Sequence, residues 1–339
     1  MMKKNGFKKM TALVMAILMI ALVATGCGGG SSNEKESDAA DKVYKVGLVQ
    51  FVEHEALDQA NKGMVDGLKA EGLEVGKNLE IDQQNAQADQ ANLKNIADRF
   101  VGNQVDLICA IATPAAQTMA NATSDIPIVG TAITDYVEAK LAESNEKPGS
   151  NVTGTTDMNP VEEQVDLLLE LAPEAKSIGV IYTSSEINSQ IQADRVKTYA
   201  TSKGINVEEV TISNVNDMQQ AAQSLIGKVD AVYVPTDNNV ASSMPILADI
   251  TRENNLPVVS GEEGPVRAGA TATIGISYYE LGKQAGIMAA KILKGEATPA
   301  DMPIEEQKTY TTVINKKEAD AIGLTIPQAI LDNADEVLE

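Results

Sequence analysis

Several polar clusters in this 339-residue chain follow directly after short apolar runs, the position where loops leave the carboxyl ends of parallel strands and collect ligands. Asp106 to Ile111 leads into Ala112-Thr113-Pro114-Ala115-Ala116. Thr113 suits a helix N-cap and Pro114 the first helical position. The amides of Ala115 and Ala116, with the Thr113 hydroxyl, can then cradle an anion. Ser177 to Tyr182 leads into a second cluster, Ser184-Ser185-Glu186-Ile187-Asn188, where a serine either caps the next helix or offers its hydroxyl. Ala231 to Val234 leads into Pro235-Thr236-Asp237-Asn238, where Asp237 either pairs with a buried cation or caps the helix that follows. Phe51 and His54 follow the first apolar run, and an aromatic there can stack on a planar group. His54 is the single histidine, with no identifiable serine or aspartate set and no nucleophile elbow around it. No P-loop occurs, and no Cys/His spacing suits a metal, so neither metal nor cofactor is expected. The chemistry on offer is reversible binding.

These clusters need strands that end together. Apolar runs alternate with amphipathic stretches, as in α/β architecture with parallel strands. Tyr44 to Phe51, Leu79 to Gln83, Asp106 to Ile111 and Ile126 to Val129 read as strands. Helices are predicted between them, from Leu57 to Glu71, Gln90 to Gly102 and Pro114 to Ala122. A second series of similar length begins after Val152 and runs to Pro257–Ser260, which implies two similarly wound lobes. The tail holds a strong helix from Tyr278 to Leu293, a strand from Thr309 to Asn315, and a last helix after Pro327. Such a tail can recross the lobe boundary and thicken a hinge.

The N-terminus has its own logic. Lys3, Lys4, Lys8 and Lys9 precede an uncharged stretch from Met10 to Thr25, too short for the roughly 18 to 20 apolar residues of a spanning helix. Ala24-Thr25-Gly26-Cys27 resembles the lipobox of bacterial lipoproteins, which implies a signal peptide over 1–26 and lipidation at Cys27. The alternative is an ordinary secretory signal beside a chance cysteine. Residues 27–42, opening Cys-Gly-Gly-Gly-Ser-Ser, read as a flexible tether. The other cysteine, Cys109, sits in an apolar run and reads as a buried hydrophobe. With 27 basic and 48 acidic residues the net charge is −21, which argues against nucleic acid as a partner.

Seven segments in order carry a resemblance: Gly47-Leu-Val-Gln-Phe-Val-Glu-His, Ile111-Ala-Thr-Pro-Ala-Ala-Gln, Ala132-Ile-Thr-Asp, Asn151-Val-Thr-Gly-Thr-Thr-Asp-Met-Asn-Pro, Tyr182-Thr-Ser-Ser-Glu-Ile-Asn-Ser, Val234-Pro-Thr-Asp-Asn and Val313-Ile-Asn-Lys-Lys. Together they resemble the substrate-binding lipoproteins of ABC importers for tryptophan and other aromatic amino acids. The resemblance implies a type I periplasmic-binding-protein fold: two Rossmann-like lobes, a three-segment hinge and a ligand in the interlobe cleft. Lobe I is then 43–155 plus 276–308, and lobe II is 156–275 plus 309–339. It also implies a non-enzymatic, membrane-anchored monomer outside the cytoplasm that hands a free amino acid to a permease driven by a separate ATPase. In that frame Phe51, His54, Thr113, Ala115, Ala116, Thr134, Ser184, Ser185, Asn188 and Asn238 face the ligand. Asp237 is the first carboxylate for its ammonium, with Asp135, Glu186 and Glu262 in reserve. Asp157 and Asn159, beside the first crossover, either touch the cleft or cap the hinge. The segment Glu262-Glu263-Gly264-Pro265-Val266-Arg267 is more charged than expected for tryptophan-binding relatives, which keeps another amino acid or a small polar metabolite open. Delivery to a receptor in place of a permease is the alternative use of the same protein.

Overall fold

The computed structural model describes residues 42–339; the leader, Cys27 and the tether up to residue 41 lie outside the described residues. The first lobe opens with β1 (Tyr44–Gln50), α1 (Glu55–Ala70), β2 (Leu79–Asn85), α2 (Gln90–Gly102), β3 (Leu107–Ile111), α3 (Thr113–Ala122), β4 (Ile128–Ile133) and β5 (Val152–Thr156). The chain then crosses to a second sheet through α4 (Val161–Leu171), β6 (Ser177–Thr183), α5 (Ile187–Ser202), β7 (Asn206–Ile212), α6 (Met218–Leu225), β8 (Ala231–Val234), α7 (Asn238–Ser242), α8 (Met244–Glu253), β9 (Val258–Ser260), α9 (Glu263–Arg267) and β10 (Ala272–Gly275). It returns through α10 (Tyr278–Leu293) and β11 (Glu305–Glu306), and crosses once more into β12 (Thr311–Asn315), α11 (Lys316–Ala321), α12 (Gln328–Asn333) and β13 (Glu336–Leu338).

The strand orders decide where a ligand can sit. The first sheet runs β11-β5-β4-β3-β1-β2 and the second β13-β12-β10-β9-β8-β6-β7. Pairing is parallel throughout, except that β12 runs antiparallel to β10. In each sheet the order reverses once, between β1 and β3 in the first and between β6 and β8 in the second. Loops leaving neighbouring strands at such a point diverge to opposite faces and open a crevice. His54 and Thr113 flank the first crevice; Glu186 and Asp237 flank the second.

Both sheets are covered on both faces, so their central strands are apolar without alternation. All five residues of β3 (Leu-Ile-Cys-Ala-Ile) are buried. Burial pushes the Cys109 thiol up to about 12, as expected of a cysteine that serves as core. In the second sheet the two faces separate by alternation: Val180 and Tyr233 join the core under α4 and α5, while Ile181, Val232 and Val234 join the one under α6 and α8.

The tail is bound to the first lobe by glycines. Helices α1 and α10 cross so closely that a Cβ on Gly63 would stand 2.0 Å from the Tyr279 carbonyl oxygen, and one on Gly282 2.0 Å from that of Ala60. Gly67 and Gly286 repeat the contact one turn along, against the Lys283 and Met64 carbonyls. Backbone atoms cannot turn aside as a flexible side chain does, so a methyl group here must part the helices. Gly282→Ala is expected to lower the unfolding free energy by about 3 kcal/mol in urea titration. Gly102→Ala, at a helix end with no atom within 4 Å, should change it by no more than about 1 kcal/mol. Equal effects would contradict this packing.

Candidate functional site

The lobes meet at the reversal points through polar side chains and an apolar contact. On the first lobe's side, His54 precedes α1 in extended backbone, with its side chain 6% exposed. Its Nε2 lies 3.4 Å from Asn238 Oδ1 of the second lobe, and its Nδ1 3.9 Å from Glu262 Oε1. Burial pushes His54 down to about 4, so the ring is neutral near pH 7. Thr134, after β4, donates to Asp157 Oδ1 at 2.9 Å and accepts from Gln192 Nε2 of α5 at 3.3 Å. Its Oγ1 also stands 3.4 Å from that of Thr236. Ile187 of the second lobe packs against the first lobe's core. The cleft is shut.

Thr113 differs from its expected role. The N-cap of α3 is Ala112, held at φ +83°, and Thr113 is the first helical residue. Its hydroxyl is therefore not used as a cap and is left buried without a partner. The Ala116 amide is spent on the Ala112 carbonyl at 3.1 Å, so of the two amides proposed for an anion it is already satisfied. Ala115 and Ala116 themselves are fully buried. Phe51 packs into the first lobe's hydrophobic cluster. Asp135 turns away to its own loop, where Oδ1 accepts from the Val137 and Glu138 amides at 2.9 and 3.0 Å.

Four carboxyl groups are buried at the boundary: Asp157, Glu186, Asp237 and Glu262, each no more than 3% exposed. Burial, the first cause in every case, raises all four, and their mutual repulsion adds to it for Glu186 and Glu262. They differ in what satisfies them. Asp237 accepts from the Thr183 amide and hydroxyl at 2.6 and 2.7 Å and from the Val240 amide at 2.9 Å. It caps α7 and ties it to β6, so both of its oxygens are engaged inside the second lobe. Glu186 is likewise surrounded by amides, from Asn188, Asn238 and Asn239. Asp157 receives the Tyr278 hydroxyl at 2.7 Å as well as Thr134. Glu262 is the poorest in partners: the Tyr278 hydroxyl it shares with Asp157, and His54 at a distance. Burial, with Asp157 adding to it, pushes Glu262 up to about 8.

Among the described residues no lysine or arginine is paired with any of these four groups. A cationic ligand group suits Glu262 and Asp157, and an anionic one suits the orphan Thr113 hydroxyl at the start of α3. Ser184 and Ser185 are exposed, Ser184 donating to the Ile212 carbonyl at 3.3 Å. Ser185 lines a rim cavity of about 330 Å³ with Pro114 and Gln117. Tyr278 and Gln192 have no signal in the sequence because both look like ordinary helix residues; the second crossover brings Tyr278 to Asp157, and the shut cleft brings Gln192 to Thr134. Asn188 donates to the Thr236 carbonyl at 2.9 Å and leaves its Oδ1 buried without a partner.

The sequence matches the ABC transporter substrate binding protein family over residues 45–338. The chain belongs to that family. It is 43% identical over 321 residues to the tyrosine-binding protein of Clostridioides difficile (strain R20291), covering 94% of this chain and 93% of the relative. A Streptococcus pneumonia ABC domain solved in complex with L-Trp is 39% identical and superposes with a TM-score of 0.85, over 88% of this chain and all of that one. The ligand-free, open structure of a Clostridium difficile substrate binding protein with adhesive properties is 45% identical but superposes at only 0.66, over 87% of this chain and 99% of that one. Greater sequence likeness with poorer superposition accords with lobes set at a different angle. This substrate-binding protein has the type I periplasmic-binding fold and is not an enzyme; such proteins work outside the cytoplasm.

The roles of the acids can be separated by stability. Asp237→Ala strips three donors of their acceptor and should cost about 2 to 4 kcal/mol in denaturant titration without any ligand. An unchanged midpoint would free Asp237 for the ligand.

Proposed function

We propose that this protein captures a free aromatic amino acid between its lobes and presents the closed form to a membrane permease, with a separate ATPase supplying the energy of import. The observations that support this reading are the buried acids Asp157 and Glu262, paired with no cation among the described residues, and the orphan Thr113 hydroxyl after β3. An α-ammonium on the former and an α-carboxylate toward the latter satisfy groups that are costly to leave bare. The tyrosine-binding relative and the L-Trp complex support an aromatic side chain. Closure draws its free energy from the ligand's greater affinity for the shut form. His54, Thr134 and Asn238 would then line the ligand, while Asp237 and Glu186 hold the second lobe's loops in place.

A thermal-shift panel tests the ligand. Tryptophan, phenylalanine or tyrosine at about a hundred times its dissociation constant should add about 2.7 kcal/mol of stability. A panel in which all three leave the midpoint unmoved, while another amino acid or a nucleoside raises it, contradicts the assignment.

We also propose that Cys27 is lipidated and holds the domain at the membrane. Each buried CH₂ of an acyl chain contributes about 0.8 kcal/mol, so two or more chains anchor it firmly. Cys27→Ser should move the protein from the membrane fraction to the soluble one. Undiminished membrane retention would argue against lipid as the anchor.

A further inference from the structure

His54 Nδ1 and Glu262 Oε1 face each other across the shut cleft. Asn238 gives its Nδ2 to Glu186, which leaves Oδ1 as the atom facing His54. A carbonyl oxygen needs a donor, so His54 carries its proton on Nε2. The ring then presents a bare lone pair on Nδ1, buried and without a partner. That nitrogen stands 3.9 Å from Glu262 Oε1. Lone pair against carboxylate is repulsive unless a proton lies between them.

Among the described residues no cation is paired with Glu262, and the donor nearest to it is a hydroxyl it must share. Tyr278 on α10 gives its hydroxyl to Asp157 at 2.7 Å. Asp157 in the first crossover, Asp237 before α7 and Glu263 on α9 all add negative charge. Arg267, the cation on the same helix as Glu263, is engaged by Glu336 at 2.7 Å and Glu263 at 3.5 Å.

We infer that Glu262 holds a proton directed at His54 Nδ1 whenever the cleft is shut empty, and that the ligand's ammonium takes that proton's place on capture. The inference rests on the amino-acid reading above and adds its proton balance. On capture the Glu262 O–H bond breaks and the proton leaves to solvent. The ammonium then donates to the carboxylate and to His54 Nδ1; the charge at that end of the site is unchanged, while the loaded protein carries one more negative charge, on the ligand's carboxylate. The placement of Glu262 near 8 and of His54 near 4 agrees with a neutral pair at pH 7.

The sign follows from linkage. An open, wetted Glu262 titrates as an ordinary carboxyl; closing it empty raises its pKa and takes up a proton, while closing it on an ammonium does not. Acid therefore favours the empty shut form over the loaded one, and affinity weakens as pH falls below about 8.

Titration calorimetry of L-tryptophan into the full chain, in buffers of different ionisation enthalpy from about pH 5.5 to about pH 8, counts the protons. The expected result is release of up to about one proton per ligand, with Kd rising by up to about tenfold per pH unit on acidification. Glu262→Gln, whose amide stands in for the protonated acid, should bind more weakly, with a flat pH profile and no release. Binding by the unaltered chain with no proton exchange at any pH overturns the inference and leaves the capture reading intact. Proton release that persists in Glu262→Gln overturns it too. Absence of binding by tryptophan, phenylalanine and tyrosine alike overturns both.

Discussion

Burying carboxyl groups without a cation is the constraint around which this cleft is organised. An isolated ionised carboxylate in a low-dielectric site is too costly to persist, so it must be protonated, surrounded by donors or paired. The protein uses the first two remedies unequally. Asp237 and Glu186 receive amides and hydroxyls enough to act as struts for the second lobe's loops. Asp157 and Glu262 share one tyrosine hydroxyl and are left in want of positive charge. An empty shut cleft is therefore electrostatically incomplete, and completion is what a ligand can offer.

The fold makes that arrangement possible by bringing distant segments to one line. Asp157 lies on the first crossover, Tyr278 just beyond the second, and Glu262 in the loop after β9, while His54 leaves β1. His54 meets Asn238 and Glu262 only across the lobe boundary, so these contacts exist only while the two sheets are held together. The glycine seam between α1 and α10 serves the opposite need. It packs the recrossing helix closely against the first lobe, which holds Tyr278 to that lobe.

Much of this was legible in the residues. Buried strands such as β3 and β8 and long amphipathic helices announce themselves by composition and period, and the loops after them follow from the parallel-sheet rule. The strand β5, Val-Thr-Gly-Thr-Thr, was passed over because threonine and glycine carry no apolar pattern; it is buried by its neighbours on both sides, not by its own hydrophobicity. The short α9 was hidden by its Gly-Pro, and β13 by its acidic ends. The loops after the strands can be located from the residues, but the roles within them are harder to read. Asp237 and Glu262 are both acids after a strand, and only the donors around each distinguish the capping acid from the poorly satisfied one. Thr113 suits a cap, but Ala112 occupies that position at an unusual backbone angle and caps nothing with its side chain, which nothing in an alanine advertises.

The most direct test is a crystal structure of the protein with L-tryptophan bound. The account predicts the ligand between the lobes, its ammonium within hydrogen-bonding distance of Glu262 or Asp157 and its carboxylate on the Thr113 side of the cleft. A ligand seated outside the cleft, or an ammonium held by Asp237 with the α7 cap undone, would contradict it.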